Sequence, residues 1–385
     1  MEDRALLAFG LAFTAAAVLT PLTGRLARRI GAVDAVKERG LAREATPLLG
    51  GLAILAAVLL AGVLFLPETQ RWRGILAAAV LITTVGAIDD WRELSPSVKL
   101  AGQFAAGLIC VLSGVEVDNV TLPFLGALSF DTLGGPITLI GLVFLMNVVN
   151  FSDGVDGLAA GVCAISAAAF CVIAFDLDRA PAAILAATVA GAALGFLLHN
   201  FHPASVFMGD SGANLLGLLL GAVIVEGSLK TNALVALVLP LCVLAVPFLD
   251  TGFVIAKRIK YRRPVYRADS NHFHHRLHRI GFSQRRTVAY LYVWTALMAG
   301  LALAVRFVPY SDDRGNLDAA WSAVMVALFL AAVAASAYLV YVLEILKLKR
   351  LRAWQIRRAE PGTEEHVIDA AVAEDLETGE FSTVR

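Results

Sequence analysis

Apolar runs near the length of a membrane-crossing helix repeat along this chain, and nothing in it constrains the fold more. A helix needs about 20 apolar residues to cross a bilayer's hydrocarbon. Runs between charged or Pro/Gly-marked breaks give about eleven spans, near 5–22, 48–66, 74–88, 98–115, 136–150, 158–175, 182–198, 212–227, 233–255, 288–305 and 319–343. A soluble chain would carry about a quarter charged residues. This one of 385 residues carries 17%, is 58% hydrophobic and has a mean hydropathy of +0.73. The runs are continuous and show no barrel-type alternation, so the fold class is an all-α integral membrane protein.

Placement of Lys and Arg gives the orientation. Basic residues crowd the segment 23–47, the segment 256–287 and the stretch after the last span, whereas the alternate loops hold only Arg71, Arg73, Arg179, Lys230, Arg306 and Arg314. With alternating spans the basic side is cytoplasmic, the N-terminus outside and the C-terminus inside. The first apolar run has no small-residue cleavage pattern and reads as a retained span. Residues 1–358 read as one transmembrane domain, and 359–385 as an acidic, mobile tail without chemistry. The outer segment 116–135 alternates and is expected to form a small hairpin. Four cysteines, Cys110, Cys163, Cys171 and Cys242, lie in apolar runs and read as buried small hydrophobes.

The unusual polar clusters all fall on the basic side. Asp89 and Asp90 close the third span and Lys99 opens the fourth. Adjacent carboxylates suit a divalent cation, or one can act as a base; the plain alternative is an acidic turn. Between the fifth and sixth spans come Asn147, Asn150, Asp153, Gly154, Asp156 and Gly157. Three-residue spacing puts Asn150, Asp153 and Asp156 near one face, where hard oxygens can share Mg²⁺ with waters and phosphates. The loop from His199 to Gly212 contains Asn200, Phe207 and Asp210, with Gly209 and Gly212 flanking the carboxylate. It precedes a helix N-terminus, a natural seat for phosphate; helix capping is the alternative use of these side chains. Last come His272, His274, His275 and Arg276 in the most basic loop. Their cationic surroundings and lack of cysteine favour pyrophosphate over zinc, with anionic lipid headgroups as a second candidate.

Together these motifs resemble the polyprenyl-phosphate N-acetylhexosamine-1-phosphate transferase family. The resemblance rests on Asp89-Asp90, Lys99 to Gln103, Asn147 to Ala159, Asn200 to Gly212 and His272 to Arg276, in the family's order. It implies transfer of N-acetylglucosamine-1-phosphate, or a related sugar phosphate, from a UDP-sugar to polyprenyl phosphate, releasing UMP. That is a first membrane step of cell-envelope glycopolymer synthesis. It also implies Mg²⁺, with Mn²⁺ as a substitute, a bacterial plasma-membrane location and a site on cytoplasmic loops. The expected partners are a UDP-N-acetylhexosamine, polyprenyl phosphate, membrane lipid and a second copy of the chain, with no nucleic acid.

By the same resemblance, Asp210 is the main metal ligand and Asn150 a second. Asp156 contacts uracil and Phe207 stacks on it. Lys99 and Arg276 hold pyrophosphate, and His272, His274 and His275 line the phosphate and sugar end. Asp89, beside Asp90, deprotonates or positions the lipid phosphate; Asp153 and Asn200 belong to matched motifs. The His-x-His-His form resembles the UDP-N-acetylglucosamine branch rather than the N-acetylmuramoyl-pentapeptide branch. Gly40 and Ala42 stand where relatives often carry Lys and His, so contacts attributed to those positions do not carry over. Three alternatives remain open on sequence alone: phospho-N-acetylmuramoyl-pentapeptide transfer within the same family, an ion-coupled transporter, which would set charges near mid-membrane, and an inactive lipid-binding scaffold.

Overall fold

The computed structural model describes residues 2–34, 45–117, 119–122, 126–227, 244, 283–309, 318–342, 353, 356–358, 362 and 364–378. The chain is a helical membrane protein. The apolar helices among these residues are α1 (Glu2–Ile30), α2 (Gly50–Phe65), α3 (Gln70–Arg92), α4 (Pro96–Leu112), α5 (Gly134–Ser152), α6 (Leu158–Asp176), α7 (Ala180–Asn200), α8 (Gly209–Gly227), α9 (Gln284–Phe307) and α10 (Ala319–Val342). Eight are long and apolar enough to cross a membrane; α2 and α4 are shorter. They coincide with ten of the expected spans, and the expected span 233–255 lies outside the described residues.

Helix ends depart from the edges of the apolar runs for local reasons. Helix α3 runs on through Asp89 and Asp90, placing both in its last turn. Helix α4 stops at Leu112 because Gly114 takes a left-handed turn at φ +91°. Leu66, extended before Pro67, ends α2. The expected hairpin forms, with β3 (Asn119–Leu122) antiparallel to β4 (Gly126–Ser129). A second, unanticipated pair, β1 (Val33–Asp34) and β2 (Thr46–Pro47), closes the loop between α1 and α2. In the tail, α11 (Glu365–Thr378) forms with Ile368 and Val372 buried.

Lipid gives apolar surfaces no reason to associate, so close backbone packing must hold such helices together. The buried stripe of α1 is Ala5, Ala8, Ala12, Ala16, Thr20, Gly24 and Ala27, and it packs along α7 and α2. On α7 a Cβ at Gly195 would lie 2.1 Å from the Phe13 carbonyl oxygen, so only glycine permits this approach. Pro21 lacks the N–H that would bond Ala17 one turn earlier. His199 Nε2 donates to that carbonyl instead, at 2.8 Å.

Helix α8 is the hub. It is buried from Ser211 to Gly227 and packs against α2, α3, α5, α6 and α7. Its polar N-terminus therefore lies among other helix ends. Trp91 Nε1 donates to Ile30 O at 3.0 Å, joining the C-termini of α3 and α1 at that same end. At the far end Arg71 pairs with Glu226 at 3.0 Å, and Arg306 with Asp176.

Candidate active site

Helix ends, more than loops, supply the charged centre of the site. Asp89 and Asp90 come from the last turn of α3, Lys99 from the first turn of α4 and Asp210 from the start of α8. Lys99 Nζ lies 2.5 Å from Asp89 Oδ2 and 2.9 Å from Asp210 Oδ2. Oxygens of Asp89, Asp90 and Asp210 all lie within 4.8 Å of one another. The Asn150 side chain lies beside the Asp210 carboxylate. Three converging carboxylates and an amide form a hard-oxygen donor set that suits a divalent cation such as Mg²⁺.

Asp89 and Asp90 divide their work. Asp89, only 7% exposed, also accepts the Leu94 N–H at 2.7 Å, which fixes the turn between α3 and α4. Asp90 accepts the N–H groups of Asp210 and Ser211, at 2.7 and 3.2 Å. It thus caps α8 from another helix, meeting the unpaired donors and the positive end of the dipole. Gly209, at φ +70°, leaves room: a Cβ there would sit 2.4 Å from Asp90 Oδ2.

The turn after α5 forms the adjoining wall. Asp153 is half-buried beside this cluster, and its carboxyl is pushed up to about 8 by burial, then by the negative charges of Asp210, Asp90 and Asp156. Asp156 Oδ2 accepts from His202 Nδ1 at 2.7 Å and from the Ala204 N–H at 3.1 Å. Asn200, 2% exposed, accepts the Gly157 N–H at 2.9 Å and donates to Val206 O at 3.0 Å. Both residues thus tie the turn to the loop before α8. Tyr292 Oη donates to Gly157 O, clamping the turn to α9. Phe207, half-buried, is set by its backbone: its N–H donates to Pro47 O at 2.9 Å and its carbonyl accepts the Gly50 N–H at 3.0 Å.

The structure therefore gathers Asp89, Asp90, Lys99, Asn150, Asp153 and Asp210 at one centre, with Asp156, Asn200 and Phe207 in its wall. His272, His274, His275 and Arg276 lie outside the described residues. Sequence reasoning gave no role to Gln103, Asn214 or Tyr292. The four-residue spacing of Lys99 with Gln103, and of Asp210 with Asn214, is a signal for the first two. Tyr292 has none, since its partner lies 135 residues away.

A multi-pass helical membrane protein with carboxylates, an amide and an ammonium converging at helix ends belongs to the class of enzymes that handle charged groups at a membrane face. More particularly, the chain belongs to Glycosyl transferase family 4, whose profile matches residues 72–228. It is 35% identical over 294 residues to a probable undecaprenyl-phosphate N-acetylglucosaminyl 1-phosphate transferase of Bacillus subtilis, covering 75% of this chain and 82% of that one. It is 37% identical to a decaprenyl-phosphate N-acetylglucosaminephosphotransferase of Mycobacterium leprae, covering 78% and 83%. A phospho-N-acetylmuramoyl-pentapeptide-transferase of Desulforamulus reducens is 32% identical, covering 80% and 98%.

Proposed function

We propose that this protein transfers N-acetylglucosamine-1-phosphate from UDP-N-acetylglucosamine to a polyprenyl phosphate, giving the polyprenyl-pyrophosphoryl sugar and UMP. The convergence of Asp89, Asp90, Lys99 and Asp210 at one helix-end cluster carries the reading. The two relatives named for N-acetylglucosamine transfer support the sugar, and so does the His-x-His-His motif at 272–275. The transporter and scaffold alternatives are set aside, because the relatives are transferases and the acids gather at helix ends rather than mid-span.

An oxygen of the lipid phosphate attacks the β-phosphorus of the UDP-sugar; a new P–O bond forms there as the bond to UMP breaks. Two anionic groups must approach, so positive charge has to offset their repulsion. Mg²⁺, when bound, would be held by Asp210, Asp89 and Asp90 with Asn150, and would supply Lewis acidity and charge. Lys99, already between two carboxylates, presents its ammonium to the pyrophosphate, and Arg276 is assigned the same task. His272, His274 and His275 are assigned to the phosphate and sugar end. Asp89 orients the lipid phosphate or accepts its proton. Phe207 stacks on uracil, and Asp156 with Asn200 sets the loop that carries it.

The site is proposed to face the cytoplasm, with eleven spans in all. Gly227 ends α8 at the far end whereas Gln284 opens α9 at the site end, which supports a ninth span between them. Purified protein is expected to release UMP from UDP-N-acetylglucosamine only with both polyprenyl phosphate and Mg²⁺. Asp210→Asn should lower that rate by at least about a hundredfold. Absence of UMP release with every UDP-N-acetylhexosamine tried would sink the proposal.

A further inference from the structure

Beneath the charged cluster lies a second polar layer with no part in the roles above. Lys99 and Gln103 are four residues apart on α4, and Asp210 and Asn214 four apart on α8. Asn150 and Asn147 are three apart on α5. Each pair therefore shares a helix face, one member in the terminal turn and one a turn further along the helix. The outer members make the charged layer. The deeper three make a chain of amides. Asn147 Nδ2 donates to Gln103 Oε1 at 2.7 Å, Gln103 Nε2 to Asn214 Oδ1 at 2.7 Å, and Asn214 Nδ2 to the Asp210 carbonyl at 2.8 Å. Asn147 also donates to Val143 O at 2.8 Å.

Only one orientation of this chain satisfies every member. The Asp210 carbonyl can only accept, so Asn214 must offer it the NH₂ and turn its oxygen to α4. That oxygen needs the Gln103 NH₂, which turns the Gln103 oxygen to α5 and Asn147. Gln103 and Asn214 are each only 5% exposed, so water does not readily replace a lost bond. A slip of one helix past another would break the layer.

We propose that Gln103 is a positioning residue: through Asn214 and Asn147 it fixes the register of α4, α5 and α8, and so presents Asp210 to Lys99, Asn150 and a divalent cation. The proposal rests on the metal-dependent reading of the site. Gln103 itself touches no substrate. Its test is the Mn²⁺ dissociation constant, read by electron paramagnetic resonance on detergent-purified protein without substrates, with UMP release measured alongside.

Gln103→Met keeps length and removes the amide. It is expected to weaken Mn²⁺ binding about tenfold and to lower kcat similarly, leaving KM for the UDP-sugar within about twofold. Asn147→Ala, at the far end of the chain from Asp210, should shift both in the same direction and serves if Gln103→Met does not fold. Combining Gln103→Met with Asn214→Leu should cost little more than either alone, because the three amides act as a unit. Mn²⁺ affinity within about twofold of wild type in both single variants would overturn the proposal, whatever their melting temperatures. So would a wild type that binds no Mn²⁺. A wild type that releases no UMP, yet binds Mn²⁺ and loses it on Gln103→Met, would sink the transferase reading and uphold the positioning role.

Discussion

Asp153 carries a charge problem that its position does not relieve. Burial and the carboxylates of Asp210, Asp90 and Asp156 push its carboxyl from 3.8 to about 8. Between those values the folded chain keeps a proton that the unfolded chain has released, so ionisation works against folding as pH rises. Asp153→Asn removes the penalty. In metal-free detergent solution its melting temperature should match wild type near the acid end of that window and exceed it increasingly up to about pH 8. A constant difference across the range would argue against the burial of a charge. Asp90 invites the opposite expectation. A residue that only held a cation would relieve repulsion when neutralised, raising metal-free stability. Since Asp90 caps α8, Asp90→Ala, which removes both acceptors, should instead lower it by about 1 kcal/mol, read by metal-free thermal unfolding. Which residues gather here was legible in sequence, because carboxylates at the ends of apolar runs need a partner. What Asp156 and Asn200 hold was not, because His202 and Gly157 lie 46 and 43 residues away.

Among the helices, the contact between α3 and α8 sets the site's dimensions. A Cβ on Gly86 would lie 2.4 Å from Ser211 Cα and 2.7 Å from Asp210 C, both backbone atoms of the first turn of α8. Neither helix can yield by moving a side chain. Gly86→Ala is therefore expected to cost about 1–3 kcal/mol of stability and to separate Asp210 from Asp89 and Asp90. A misplacement near 1 Å should cost about a hundredfold in UMP release. Gly141→Ala on α5 meets nothing within 4 Å and should behave as wild type. Equal activity of the two variants would contradict this account of the α3–α8 contact. Helix existence was legible from apolar length alone. Helix ends were not, because turn stereochemistry at Gly114 and Leu66 decides them, as does the continuation of α3 into charged residues.

Over the whole molecule, contacts between helix ends sort the ends into two groups, and the distribution of charge supports the proposed orientation of those groups. Trp91 with Ile30, and Arg285 with His202 O at 3.2 Å, mark the site end. Arg71 with Glu226, and Arg306 with Asp176, mark the other. The site end is also the end of Arg25, Arg28 and Arg29, the basic side that the charge rule assigns to the cytoplasm. The assignment also fits the proposed reaction, since a UDP-sugar is too polar to cross the hydrocarbon. Single cysteines test it directly. Ser205 is exposed in the loop before α8, and Glu68 is exposed between α2 and α3 at the far end. Among the native cysteines, Cys110 and Cys163 are buried and Cys171 is half-buried, so labelling is referred to the unsubstituted protein. A membrane-impermeant maleimide should label Ser205→Cys in inside-out vesicles and Glu68→Cys in right-side-out ones. The reverse pattern would place the carboxylate cluster outside, away from the nucleotide sugar, and with it would fall the account of how the two substrates meet.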